Sequence, residues 1–370
     1  MLTMRLLIIT QAVDINNPVL GFFCRWIEEF SKHCEKLTVV CLEKGEHKLP
    51  QNVKVLSLGK EASGIQHSTF NIFKKIRYSL VFFKYIWQER NNYDLVFVHM
   101  NQEYVLLGWF LWKLMAKTPS PEHLFVPYRG IRGKKVMLWR NHAKGNSLTD
   151  LAVFLSDRVF CTSRFSYTAK FKKTEIMPVG IDTDFFKRDP KIIKLRNSIL
   201  FLGRISPVKK TDLFIDALNL LNKEGTEFKA TIVGDAVLGD EWYYKFVKNK
   251  VSEYGLDKKI YFRKAVTNNE AVDLYNDCEV FVNLTPSGSM DKTIFEAMAC
   301  ENIVLVSNEG LRGKIDDMFV LEKSDDGNIA FKLKNLLSLN SGEKLRAGKK
   351  LRDFVAGEHS IKKLWERINL

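Results

Sequence analysis

Residues 279–308 read EVFVNLTPSGSMDKTIFEAMACENIVLVSN, and this stretch decides the fold. Val280 to Leu284 is an apolar run long enough for a buried strand. Thr285-Pro286-Ser287-Gly288-Ser289 has the composition of a loop, Lys292 to Cys300 reads as a helix, and Ile303 to Val306 is a second apolar run. Strand, loop, helix, strand is one parallel βαβ unit. Its loop leaves the carboxyl end of a strand and meets a helix N-terminus, where doubly wound sheets take phosphorylated ligands. Glu296 lies about one turn inside that helix. Its carboxylate suits hydrogen bonds from sugar or ribose hydroxyls; the plainer alternative is a solvated helix Glu beside a surface loop.

Four more segments belong with this one. They are ILFLGRISPVKKTDLFIDAL (Ile199 to Leu218), ATIVGD (Ala230 to Asp235), YFRKAVTNNEAVDLYNDCEVFV (Tyr261 to Val282) and MPVGIDTDFF (Met177 to Phe186). A strand, then Gly203, then Arg204 and Lys209 on a loop before a helix, makes a diphosphate cradle: Arg offers a planar fork of donors and Lys a point charge. Together with TIFEAMACENIVLVSN these segments resemble, in the same order, the donor half of retaining GT-B glycosyltransferases of the group 1 type, family 4 of the sequence classification. The likeness is close from about Val159 onward and thin before it.

The resemblance implies two Rossmann-like α/β domains with doubly wound parallel sheets facing an interdomain cleft. The expected division is 1–180 for an acceptor-binding domain and 181–358 for a nucleotide-sugar donor domain, with a terminal helix at about 359–370 returning to the first. By the same likeness Gly203, Arg204, Lys209 and the backbone N–H groups of Thr293 and Ile294 hold the donor diphosphate. Glu296 anchors the ribose. Gly234, Asp235, Arg263 and Val266 lie along the nucleotide, and Gly288 and Lys292 lie by the sugar. His142, just past the expected strand Lys135 to Arg140, sits at the reacting sugar, with His99 as the alternative; without the likeness, either is a structural histidine. The likeness also implies retention of anomeric configuration.

The chain departs from the pattern at one important place. The family usually has a first Glu eight positions before the second, and here that position is Gly288. Asp291 is the residue available to replace part of the lost contact. A second, smaller departure is Lys210, where the family has Gly. Asp182-Thr183-Asp184 matches the D-x-D metal motif of the other large glycosyltransferase fold, but here it belongs to the V-G-I-D-x-x-x-F crossover that Phe186 completes. No metal or other cofactor is expected.

At 370 residues the chain is too long for one ordinary core and suits two domains. A hydrophobic fraction of 46% and a charged fraction of 27% are those of a soluble globular protein. The six cysteines form no C-x-x-C pair and read as reduced core residues of a cytoplasmic protein. MLTMRLLIITQ has no small-residue cleavage site and reads as a first strand. The formal charge of +14 is uneven: residues 1–180 hold 26 basic and 14 acidic side chains, residues 181–370 hold 31 and 29. A basic first half implies an anionic partner, and nucleic acid, an acidic membrane surface and a phosphorylated lipid all qualify; the family likeness implies a lipid-linked or polysaccharide acceptor at the inner membrane face.

Along the first half, Met4 to Thr10 reads as a strand and Gln11 to Gly21 as a polar loop. The family likeness implies that this strand–loop–helix faces the cleft, which puts Asp14, Asn16 and Gly21, with His99, on the acceptor side. A helix is expected over Val19 to His33, with Pro18 in its first turn. Leu37 to Leu42, Val53 to Leu58 and Asp94 to Met100 read as further strands, and Val159 to Thr162 as the last strand of the first domain. Phe70 to Arg90 interleaves Lys74, Lys75, Arg77 and Lys84 with aromatic residues, which suits either a membrane-interface helix or a core-facing helix with a basic outer face. Tyr104 to Met115 is apolar but too short to span a bilayer. Thr118 to Gly133 reads as a loop, and Lys344 to Arg352 as a solvated helix face.

Two other function classes compete with the enzyme. A GT-B-shaped protein could bind nucleotide sugars without turnover. A nucleic-acid-binding protein could use the basic half, but no recognised reading motif supports it, and no nucleic-acid partner is expected.

Overall fold

Parallel strands in two separate sheets carry the chain, and the computed structural model describes residues 4–61, 72–114 and 133–368. The chain divides into two compact units, residues 1–177 and 178–370. Most of the expected loop at Thr118 to Gly133 lies outside the described residues, as do the first two residues of the Phe70 to Arg90 segment and Met115.

The first unit holds β1 (Arg5–Val13), β2 (Lys36–Lys44), β3 (Val53–Ser57), β4 (Leu95–His99), β5 (Lys135–Trp139), β6 (Arg158–Cys161) and β7 (Thr174–Ile176). They lie in the order β3-β2-β1-β4-β5-β6-β7, and every pairing is parallel. The helices are α1 (Phe22–Ser31), α2 (Ile72–Gln88), α3 (Glu103–Leu114) and α4 (Ser147–Leu155). The inner strands β1, β4 and β5 are buried nearly throughout, so they read as apolar runs rather than alternating, whereas β3 and β7 at the edges are only partly buried.

Three expectations fail here for identifiable reasons. β1 runs on to Val13, because Ala12 and Val13 are buried and pair with Glu43 and Lys44. The first helix starts at Phe22, not Val19: Asn17 Oδ1 accepts from the amides of Val19 and Leu20, making a turn that uses up the residues around Pro18. The last strand of the sheet is β7, not the one at Val159. β7 is a three-residue polar edge strand with no apolar pattern to announce it.

The second unit holds β8 (Ser198–Leu202), β9 (Lys229–Val233), β10 (Ile260–Arg263), β11 (Val280–Asn283) and β12 (Ile303–Val306), in the order β10-β9-β8-β11-β12. Its helices are α5 (Thr211–Lys223), α6 (Glu241–Glu253), α7 (Ala271–Asp277), α8 (Lys292–Ala299), α9 (Asp326–Ser338), α10 (Ser341–Phe354) and α11 (Ile361–Ile368). The expected βαβ unit is β11–α8–β12, paired in parallel from Val280 opposite Ile303 to Asn283 opposite Val306. Sequence order reverses between β8 and β11, which sets a crevice at the carboxyl ends of those two strands.

The core beneath this crevice is built from full-length side chains. Phe201, Phe214 and Phe281 are fully buried, with Phe201 stacked on Phe214 at 5.1 Å. Each such ring contributes about 1.5–3 kcal/mol by leaving water. The charged run Lys344 to Arg352 is not simply a solvated face. Lys344 pairs with Glu279 at 2.8 Å, and Arg352 turns inward to the carbonyls of Phe186, Ala299 and Thr183. Ser360 bridges in parallel to Ile181, which ties the C-terminal segment to the start of the second unit.

Candidate donor site

The crevice of the second unit gathers most of the residues singled out by sequence. Gly203 follows β8 directly, and its positive φ of 152° lets the chain turn without a side chain. Gly234 follows β9 with a φ of 153° and presses against Gly203: a Cβ on Gly234 would overlap the Gly203 carbonyl oxygen. Gly203 N–H donates to Val233 O, Ile205 N–H to Asp235 O, and Gly234 N–H to Arg263 O. The carboxyl ends of β8, β9 and β10 are therefore stitched into one rim, and the side chains of Asp235 and Arg263 stand exposed on it. Val266 packs instead against the second unit's core.

Lys209 closes the crevice. Its ammonium donates to Thr285 Oγ1 at 2.9 Å and to Asp291 Oδ2 at 2.5 Å, crossing from the loop after β8 to the loop after β11. Lys carries three donors, so one remains. Arg204 is exposed, and its guanidinium makes no hydrogen bond or ion pair among the described residues. The crevice thus offers one anchored cation and one free one.

Asp291 is the N-cap of α8, and its carboxylate is crowded with donors. Oδ2 accepts from Lys209, from Asn283 Nδ2 at 3.1 Å and from Thr285 Oγ1 at 3.2 Å. Oδ1 accepts from the Thr293 amide at 3.3 Å and from Thr293 Oγ1 at 3.0 Å. Burial pushes its pKa up, but the Lys209 charge and these donors outweigh that and hold it well below the usual carboxylate range. The Thr293 amide is engaged in this cap, and the Ile294 N–H donates to Asp291 O at 3.2 Å. The two amides assigned to a diphosphate thus serve the helix cap in this structure.

Glu296 is buried, with 4% of its surface exposed. Asn268 Nδ2 donates to Oε1 at 3.0 Å, and Tyr275 OH donates to Oε2 at 3.1 Å. Burial raises its pKa against those donors and the charge of Lys292. Lys292 is driven the other way by the same desolvation, and its Nζ donates to Val179 O at 2.5 Å. Gly288 is buried in a turn whose neighbours are pinned to the segment after β12: Ser287 Oγ accepts from the Glu309 amide, and Ser289 O accepts from Asn308. Asp182 makes a turn by accepting from the amides of Asp184 and Phe185, while Asp184 pairs with Lys362 on the surface.

Within the first unit the named residues separate into two kinds. His99 ends β4 with 3% exposure, stacked on Phe23 at 4.2 Å with its Nδ1 3.2 Å from Thr10 Oγ1. It is enclosed by aromatic side chains and presents almost no surface to an acceptor. His142 is exposed, with Nδ1 accepting from the Lys144 amide at 2.9 Å. Asp14 caps the turn that leads to Asn16, whose side chain reaches Glu46, and Gly21 is buried at the start of α1 with an ordinary negative φ.

Sequence reasoning missed Asn268, Tyr275, Asn283 and Thr285. A Thr267-x-x-Glu270 capping pattern pointed to the turn that carries Asn268; the amide and hydroxyl of Thr267 both donate to Glu270 at 2.8 Å. It also missed Arg140 beside His142, a half-buried cation whose Nε has no partner among the described residues.

Residues 182–350 match the family described as Glycosyl transferases group 1. HepE of Anabaena, whose crystal structures hold UDP, UDP and glucose, or UDP-glucose, superposes with a TM-score of 0.73 at 15% identity for the complex with UDP and glucose, over 99% of this chain and 98% of that one. The fold is GT-B. Sucrose-phosphate synthase from Thermosynechococcus elongatus gives a TM-score of 0.72 at 14% identity, over 99% and 98% of the two chains. WaaG, a glycosyltransferase involved in lipopolysaccharide biosynthesis, gives 0.66 at 14%, over 98% of each. No curated protein matches the chain.

Proposed function

We propose that this protein is a glycosyltransferase that takes a sugar from a nucleotide-diphosphate sugar, a UDP-sugar first among them, and passes it to a lipid-linked or polysaccharide acceptor with retention of configuration. The observation that carries the reading is the cation pair at the crevice of the second sheet. Lys209 is anchored beside Gly203, and Arg204 stands free next to it. In glycosyl transfer the bond from the anomeric carbon to the diphosphate oxygen breaks and a bond to an acceptor oxygen forms. Negative charge collects on the departing diphosphate, and the acceptor hydroxyl gives up its proton. Fixed cations at that diphosphate stabilise the transition state more than a strong nucleophile would. By the family likeness Glu296 is assigned to the ribose and His142 to the reacting sugar.

The acceptor reading draws on the surface of the first unit. α2 exposes Phe73 and Leu80 beside Lys75 and Lys84, α3 exposes Phe110 and Leu114, and α4 exposes Phe154. Apolar side chains among lysines suit a protein that rests on an anionic membrane carrying its acceptor. Among the described residues no helix is long and apolar enough to cross a membrane.

Thermal unfolding with UDP-, GDP-, ADP- and CMP-sugars, wild type beside Arg204→Ala, tests the reading. A rise with one nucleotide family that Arg204→Ala abolishes supports it; no rise with any of them sinks it. A second reading, a nucleotide-sugar-binding protein without turnover, is favoured by Gly288 at the family's first Glu and by the saturated Asp291 carboxylate. Binding without product from any acceptor extract would favour it.

A further inference from the structure

Next to Glu296 lies a buried oxygen with no donor among the described residues. Asn268 gives its Nδ2 to Glu296 Oε1 at 3.0 Å. That contact fixes the amide's orientation, since the opposite placement would set the amide oxygen against the carboxylate. The Asn268 Oδ1 is then buried without a hydrogen-bond partner among the described residues. Buried acceptors are seldom left unpaired, and one that is calls for a missing partner.

The turn does not need Asn268 for its own stability. Thr267 and Glu270 lock it through two bonds of 2.8 Å, and the Glu270 amide returns one to Thr267 Oγ1 at 3.3 Å. Nor is Glu296 held by Asn268 alone, because Tyr275 OH reaches its other oxygen at 3.1 Å. What Asn268 adds is a second acceptor beside the carboxylate. Two neighbouring acceptors, both with lone pairs to spare, match two neighbouring donors, and the cis-diol of a ribose supplies two. We propose that Asn268 Oδ1 accepts from one hydroxyl of that diol while Glu296 accepts from the other. Asn268 thus adds to Glu296 a second point at which the site senses a ribose hydroxyl, and loss of the hydroxyl it accepts is what Asn268 discriminates against. This rests on Glu296 being the ribose carboxylate of the proposed donor site.

Titration calorimetry on the full chain provides the test. The probes are whichever of UDP, GDP, ADP and CDP binds most tightly, and its 2′-deoxy and 3′-deoxy forms. The proteins are wild type, Asn268→Ala and Tyr275→Phe. Wild type is expected to favour the ribonucleotide by about tenfold or more over at least one deoxy form, the size of one hydrogen bond to a buried acceptor. Asn268→Ala should bring those two affinities to within about twofold of each other. Tyr275→Phe should weaken every ligand and keep the wild-type ratio. Equal wild-type affinities, or an Asn268→Ala ratio unchanged from wild type, overturn the assignment while leaving the donor site standing. A wild type that binds no nucleotide at all overturns the donor site, and this inference with it.

Discussion

Lys209 Nζ lies 2.5 Å from Asp291 Oδ2, joining the loop after β8 to the cap of α8 across 82 residues of sequence. Both side chains are largely buried, at 15% and 16% exposure. Removing one member of such a pair leaves an uncompensated charge, at roughly 3–5 kcal/mol. Asp291→Ala also removes the helix cap, about another 0.5–2 kcal/mol, whereas Asp291→Asn keeps a good capping side chain. Melting midpoints should therefore fall in the order wild type, Asp291→Asn, Asp291→Ala. Because the folded protein holds this carboxylate below its ordinary value, the pair's stability is complete above about pH 4 and fades as pH falls further. Asp291→Asn should show a shallower loss of stability in acid than wild type; matching acid slopes would show that the charge plays no part.

Arg204 makes the opposite case. It is exposed and unpaired among the described residues, so Arg204→Ala should leave the melting midpoint within experimental error. Its effect belongs to the ligand-bound state. Turnover of a nucleotide sugar should fall by about 10²–10³. A variant that lost stability without losing turnover would place Arg204 in the scaffold.

His359 gives a pH prediction of its own. Its Nδ1 accepts from the Val179 amide at 3.3 Å, between the rings of Phe295 and Phe354, and this requires a neutral ring. Burial, with the nearby charges of Lys314 and Lys292, lowers its pKa to about 4. The unfolded chain takes up the proton near pH 6.5 and the folded chain only near pH 4, so stability drops across that window as pH falls. At pH 5 the loss is about 2 kcal/mol. His359→Gln should remove that part of the difference between unfolding curves at pH 7 and pH 5.

The exposed apolar side chains of α2 and α4 predict vesicle binding. Phe73 is 78% exposed and Phe154 75% exposed. Co-sedimentation with phosphatidylglycerol vesicles should weaken in Phe73→Ser and Phe154→Ser, and by roughly fivefold for each of Lys75→Gln and Lys84→Gln at low salt. Equal sedimentation with neutral and anionic vesicles would remove the electrostatic half of the argument.

How far the sequence could be read depended on whether a feature was local. β11–α8–β12 was legible because a buried parallel strand is a continuous apolar run and its loop is rich in Pro, Gly and Ser. Gly203, Arg204 and Lys209 stood out for the same reason, within one segment. β7 could not be seen, since Thr174–Ile176 is too short and polar to carry a pattern. α4 left a signal that went unused: Asn146 and Thr149 form a capping box at its start. The contacts that shape the site are long-range. Nothing near Lys209 announces Asp291, and nothing near Glu296 announces Asn268, 28 residues earlier. His99 looked like a site residue because it ends a strand at the proper sheet edge. Only packing against Phe23 and Thr10 shows that its ring faces inward.

The abutment of Gly234 on Gly203 leaves no slack between the turn that follows β8 and the one that follows β9. A displacement of either turn must be passed to the other. In the proposed donor site the turn assigned to the phosphate and the turn assigned to the nucleoside therefore shift together, and a change of nucleotide preference is expected to come from side chains on the rim rather than from reshaping the backbone beneath them.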